Sequence, residues 1–122
     1  MRISYLTAIG IISLAFSSQA NACWRSGPNF YLGHDVSRTW TMKPGEVCSH
    51  STVLRDGGAV IHEIRIVQKA THGTVGTNGA SNYAYRAPPN YVGKDHFAVR
   101  LFGERHGQKA STQINVEVDI KR

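Results

Sequence analysis

The sequence predicts an all-β domain: about seven short strands in two antiparallel sheets packed face to face. Three observations predict it. No segment after residue 22 sustains a helical period. Apolar and polar residues alternate instead, most plainly over residues 110–120. Turn residues recur about every 8–12 positions, the rhythm of a sandwich.

Residues 1–22 stand apart from this pattern and read as a secretory signal peptide. Arg2 supplies a positive start, an apolar run follows to Phe16, and Ala20-Asn21-Ala22 supplies a small-x-small cleavage site. The run is too short for a membrane anchor and ends in polar residues. Cys23 after the cut raises a lipoprotein reading, but Asn21 stands where a small residue is expected and no Leu precedes it. Cleavage after Ala22 removes 22 of 122 residues and one charge of +6, leaving 100 residues at +5. The expected location is the periplasm or the exterior. A chain of this length holds one domain, residues 23–122, with room for one core. No segment of it is apolar and long enough to span a membrane as a helix.

The strands follow in order. Residues 36–42 carry Trp40 and stop at Pro44-Gly45. Residues 46–54 form the next strand, and Asp56-Gly57-Gly58 turns the chain. Val60, Ile64 and Ile66 then share a parity against Glu63, Arg65 and Lys69. Residues 73–77 form a short strand into Asn78-Gly79, a tight-turn dipeptide. Residues 83–86 end at Pro88-Pro89. Phe97, Val99 and Leu101 define the sixth strand, residues 103–108 a hairpin loop, and residues 110–120 the seventh, with Ile114, Val116, Val118 and Ile120 on its buried face. Cys23 and Cys48 are the only cysteines. An even count in an exported chain reads as one disulfide. Its loop of about 26 residues would stabilise the fold by roughly 3.5 kcal/mol in the chain-entropy model. The competing reading is a metal or redox pair, for which Cys48-Ser49-His50 is a weak signal.

Residues 64–118 carry a resemblance. Thr71-His72-Gly73-Thr74-Val75, then Tyr83-Ala84-Tyr85-Arg86-Ala87-Pro88, then Tyr91-Val92-Gly93-Lys94-Asp95-His96-Phe97, and finally Val116-Glu117-Val118 together resemble the bacterial Ig-like and cadherin-like domains that repeat in surface and secreted proteins. The resemblance implies an Ig-like sandwich. It assigns Gly73 and Gly93 special backbone angles, Asp95 a loop-capping role ahead of Phe97, and Tyr91 a corner hydroxyl. It does not imply calcium-bridged tandem adhesion, because the eight acidic residues form no dense cluster of the kind calcium needs.

Catalytic signatures fail one by one. His62-Glu63 opens like a zinc-protease motif, but Ile66 stands where the second His belongs, and the segment alternates as a strand. His62 lies on the apolar parity of that strand, which predicts a half-buried histidine. Gly73, Gly76 and Gly79 recur without a following Lys-Ser/Thr or a helix. No Gly-x-Ser-x-Gly occurs. No catalytic residue, metal ligand or cofactor is assigned, and no enzyme activity is expected. Six histidines, His34, His50, His62, His72, His96 and His106, show no repeated ligand spacing, so a histidine-based metal protein is the weaker alternative.

The charge points elsewhere. Arg100, Arg105, His106, Lys109, Lys121 and Arg122 all lie on the last hairpin or its ends. A basic surface attracts anions and speeds their encounter. Arg100, Arg105, His106 and Lys109 are the candidate binding residues. The expected function is an exported binding module that meets an anionic glycan or an acidic protein; nucleic acid is not expected outside the cytoplasm. The alternative is a structural or accessory subunit of an envelope complex. An exposed apolar patch around Trp24, Tyr31 or Phe102 would favour that reading.

Overall fold

The computed structural model describes residues 23–27, 31–52 and 58–122. The expected leader at 1–22, the end of the second predicted strand at Leu54 and the Asp56-Gly57 part of the turn after it lie outside these residues. Eight strands form, β1 (Trp24–Ser26), β2 (Val36–Met42), β3 (Val47–Ser51), β4 (Ala59–Gln68), β5 (Thr74–Asn78), β6 (Asn82–Arg86), β7 (Gly93–Arg105) and β8 (Gln108–Ile120). They make a five-stranded sheet of order β1-β2-β8-β7-β4 and a three-stranded sheet of order β3-β6-β5. The fold is the expected Ig-like two-sheet β-sandwich. Seven strands are the predicted ones, and β1 is the addition. Pairing is antiparallel except between β2 and β8.

The strand alternation builds the core directly. On β8, Thr112, Ile114, Val116, Val118 and Ile120 are buried. Phe97, Val99 and Leu101 lie beside them on β7, and Trp40 and Met42 on β2. Tyr83 and Tyr85 cover them from β6, both fully buried. Four aromatic rings bridge the sheets. Trp40 stacks on Tyr83 at 5.7 Å and Phe97 stacks on Tyr85 at 5.5 Å, while Trp40 and Phe97 meet edge to face at 5.5 Å. Such contacts add to simple area burial. Losing the Phe97 ring would cost about 3–5 kcal/mol.

Cys23 and Cys48 form a disulfide with a Cα–Cα distance of 5.6 Å. It ties the β1 edge of one sheet to β3 of the other. Arg25 on β1 adds a second tie by donating to the Ser49 carbonyl.

The hairpin between β7 and β8 is tighter than the six-residue loop that the sequence suggests. Arg105 already pairs with Gln108, leaving His106 and Gly107 as the turn. Both have positive φ, 50° and 81°. This left-handed pair matches the twist of the strands and closes a two-residue hairpin. The polar run 103–108 reads as loop, yet its ends continue the ladder.

β4 departs from its expected parity. Register breaks between Ile61 and Glu63 and again between Ile66 and Gln68. The first bulge puts Ile61 instead of Val60 on the inner face with Ile64, leaving Val60 50% exposed, while Ile66 keeps its expected parity opposite Val99 yet stays 38% exposed at the sheet edge. It also turns His62 outward, so His62 is exposed rather than half-buried.

Candidate functional site

Two faces carry chemistry: the space between the sheets and the outer face of the five-stranded sheet. Between the sheets, Asp95 is buried and accepts five hydrogen bonds. Its Oδ1 accepts from the amides of Thr71 and His96, both at 2.9 Å. Its Oδ2 accepts from the amides of His72 at 3.1 Å and Gly73 at 2.8 Å, and from the Tyr85 hydroxyl at 2.7 Å. Burial pushes this carboxyl up, but the Tyr85 hydroxyl and the surrounding amides outweigh it, and Asp95 ends below the ordinary aspartate value. Gly73 serves this knot by close approach: a Cβ there would stand 2.4 Å from the Tyr85 hydroxyl. Gly93 is the one of the pair with a positive φ, at 148°. Tyr91 donates to the Lys94 carbonyl at 2.9 Å, the corner bond that the resemblance implies. These are folding roles.

At the other end of β6, His50 of β3 shares a 3.0 Å hydrogen bond with the Tyr83 hydroxyl. Burial, then Arg38 and Arg25, lower its pKa to about 4, so the ring is neutral at pH 7. Arg38 is buried on the same parity as Trp40.

The outer face is a ladder of polar pairs. Lys94 lies opposite Asp119, His96 opposite Glu117, Arg100 opposite Gln113, Phe102 opposite Ser111 and Glu104 opposite Lys109. Glu63 and Arg65 of β4 flank Phe102 and Arg100. Most charges meet an opposite one. Lys94 and Lys121 approach Asp119 at 3.5 and 3.2 Å, His96 approaches Glu117 at 3.8 Å, and Arg65 holds Glu63 at 2.7 Å. Burial raises the Asp119 carboxyl slightly, and Lys121 and Lys94 bring it below its ordinary value. Exposed pairs of this kind contribute under about 1 kcal/mol each. Their consequence is a face of mixed sign rather than a uniform basic one.

A shallow cleft of about 390 Å³ opens on this face, lined by His62, Glu63, Phe102, Glu104, Lys109 and Ser111 among others. The Arg65 guanidinium lies 4.9 Å above the Phe102 ring, within cation–π range. His62 meets Glu104 at 3.4 Å on the rim.

The four candidate binding residues are placed as follows. Arg100 sits in the middle of the face, donating to Ser111 Oγ at 2.8 Å and Gln113 Oε1 at 3.2 Å, with Asp35 at 3.9 Å. Lys109 shares that face and lines the cleft. Arg105 has the opposite parity, across from Gln108, so its side chain starts from the other side of the sheet. His106 forms the turn, its amide donating to the Gly58 carbonyl at 2.6 Å. The fold therefore brings Arg100 and Lys109 together on one face and sets Arg105 apart at the tip. The sequence reading missed His62, Glu63 and Arg65 as cleft neighbours. The available signal was the spacing of Ile61 and Ile64, two apolar residues of opposite parity that both need burial, which demands a bulge between them.

The remaining histidines have separate surroundings. His72 stacks on Tyr91 at 4.0 Å, and His34 donates its amide to Tyr31. Among the described residues, no three His, Cys, Asp or Glu side chains stand close enough to share a metal ion. No helix among them is long and apolar enough to cross a membrane.

The fold and its outer face define an Ig-like sandwich with a charged, aromatic-floored surface. Compared with known families, curated proteins and solved structures, the chain finds no match in any of the three.

Proposed function

We propose that this chain is an exported, non-catalytic binding module that takes an anionic group of an envelope or extracellular partner on the outer face of β7 and β8. The cleft over Phe102 carries this reading. It joins an apolar floor to the Lys109 ammonium, with Arg65 and Arg100 next along the face, while the two carboxylates of its lining already have neighbours, Glu63 in Arg65 and Glu104 in His62. Lys109 has no ion pair within 4 Å among the described residues, so an incoming carboxylate or sulfate displaces no existing one there. Arg105 extends the cationic character to the hairpin tip, beside the His106 ring. The disulfide supports export, because such bonds persist in oxidising compartments. The likeness of residues 64–118 to bacterial Ig-like and cadherin-like domains supports a binding role by analogy of fold alone.

The test is retention on a sulfated or carboxylated matrix at low salt. The double variant Arg105→Glu with Lys109→Glu is expected to elute at clearly lower salt than the parent. The single variants then tell which side of the tip dominates. Retention unchanged in the double variant would dismiss the hairpin as the contact.

A second reading, an accessory subunit of an envelope assembly, is favoured by the exposure of Trp24 at 71% and Tyr31 at 63%. Co-purification lost on Trp24→Ala, with anionic retention intact, would select it.

A further inference from the structure

We infer that β4 pairs with β4 of a second copy of this chain, joining two five-stranded sheets edge to edge. The strand is ten residues long and ends the sheet order. Among the described residues, no backbone hydrogen bond reaches it from the side away from β7. Natural edge strands are commonly guarded by Pro, by charges such as Lys, by shortness or by bulges, and of these β4 carries two bulges and the Glu63–Arg65 pair. β4 has no Pro, no Lys and full length, and it exposes Val60, Ile66 and Val67 at 50%, 38% and 48%. The opposite edge, β1, is three residues long and held by the disulfide.

The charges on β4 select one register. Between its two bulges the strand is regular over residues 63–66, with Glu63 and Arg65 on the outer face. An isologous antiparallel pair needs a two-fold axis perpendicular to the sheet. An axis through Glu63 sets two carboxylates face to face, and an axis through Arg65 sets two guanidiniums face to face. An axis through Ile64 sets each Glu63 opposite the other copy's Arg65, twice over. Opposite charges directly across strands stabilise, and like charges destabilise. The bulges confine the regular pairing to a short central run, so the association is concentration-dependent rather than permanent. The two Phe102 clefts then lie on the same outer face of one continuous sheet, near the axis.

Sedimentation equilibrium of the purified, oxidised chain tests this without any ligand, so its outcome is independent of the anionic-partner reading. The expected result is a shift from one-chain to two-chain mass with rising concentration. Glu63→Arg is expected to leave only the one-chain mass, and Glu63→Arg combined with Arg65→Glu to restore the dimer. Val67→Lys, an edge guard away from the charge pair, is expected to weaken it about tenfold or more. Circular dichroism establishes that each variant is folded. A parent chain that stays at one-chain mass to millimolar concentration overturns the inference. So does a dimer that folded Glu63→Arg leaves intact.

Discussion

Two tyrosines face the core two residues apart on β6, and each hydroxyl ends on an ionisable group. Tyr85 ends on Asp95, and Tyr83 ends on His50. Both groups are shifted downward in pKa, by opposite means. Asp95 is held charged by donors that converge on it, against the penalty of burial. His50 is held neutral by burial and by two nearby arginines. The difference teaches how one sandwich handles polarity at its two ends. One end surrounds a charge with backbone amides and so fixes the loop at residues 71–73. The other end accumulates cations and keeps its titratable ring uncharged. The tyrosines respond alike: burial, the largest cause for both, raises them well above the ordinary phenol value.

Removing the charge at the first end has the largest expected effect. Asp95→Asn keeps the size but offers one carbonyl oxygen to five donors and turns an amide toward the rest. Hydrogen bonds to a charged acceptor and the penalty for stranded donors put the loss at about 3–5 kcal/mol. That is a large share of the stability of a domain this small. The check is the urea midpoint at unchanged slope. A loss under about 1 kcal/mol would mean that the loop holds without the carboxylate.

Acid titration separates the two ends. His50 has a folded pKa of about 4 against 6.5 in the unfolded chain. Between those values the unfolded chain binds the proton and the folded chain does not, so stability falls as pH drops from 6.5 to 4. The expected loss is roughly 2–3 kcal/mol over that window. Asp95, depressed below 3.8, contributes stability that is present above 3.8 and is lost as pH falls from there toward its folded value. At pH 5 only the His50 limb acts. His50→Gln is therefore expected to flatten stability between pH 6.5 and 4 while leaving the steeper fall at lower pH. A midpoint that still drops equally between pH 6.5 and 4 in that variant would assign the limb to another group.

The hydroxyls come next. Tyr85→Phe removes a donor to a charged carboxylate that keeps its four amides, and is expected to cost about 2 kcal/mol. Tyr83→Phe removes a bond between neutral groups, and about 1 kcal/mol is expected. Equal losses would erase the distinction between a charged and a neutral end. Thermal melts at pH 7 of the two variants, taken side by side, suffice.

The Asp95 end was legible in the sequence and the His50 end was not. Tyr91, Gly93, Asp95 and Phe97 sit within seven residues, so the motif names Asp95 as a cap from the sequence, although four of its five donors come from Thr71, His72, Gly73 and Tyr85 on other segments. The alternation of β8 was legible because a period of two needs no knowledge of partners. His50, Arg38 and Tyr83 come from three strands and meet only when the sheets close. Arg38 shares the parity of Trp40, which names the face, but nothing local says that a guanidinium enters the sandwich. The cleft over Phe102 was illegible for a related cause. The alternation already sets Glu63 and Arg65 outward, but the bulge at His62 breaks the parity ahead of them, so a count carried back through it turns Val60 and His62 to the wrong side and hides the third cleft neighbour. The basic hairpin was half legible: the cations are adjacent in sequence, but the two-residue turn at His106 and Gly107 fixes a register that sends Arg105 and Lys109 to opposite sides.

The smallest expected effect probes the cationic end itself. Arg25 sits on β1, which the disulfide holds against β3, and its guanidinium donates to the Ser49 carbonyl next to His50. It is the third cause of the low His50 pKa, after burial and Arg38. Arg25→Gln retains a donor for Ser49 and removes only the charge. The His50 pKa is then expected to rise by a fraction of a unit and to remain well short of 6.5, because burial still acts. Adding salt to the parent should move it in the same direction and by less, since screening reaches exposed Arg25 more than buried Arg38. A nuclear magnetic resonance titration of the His50 ring reads both. A pKa that does not move in Arg25→Gln would leave burial and Arg38 to account for the neutral ring, and β1 would then matter to this end only as a mechanical clamp.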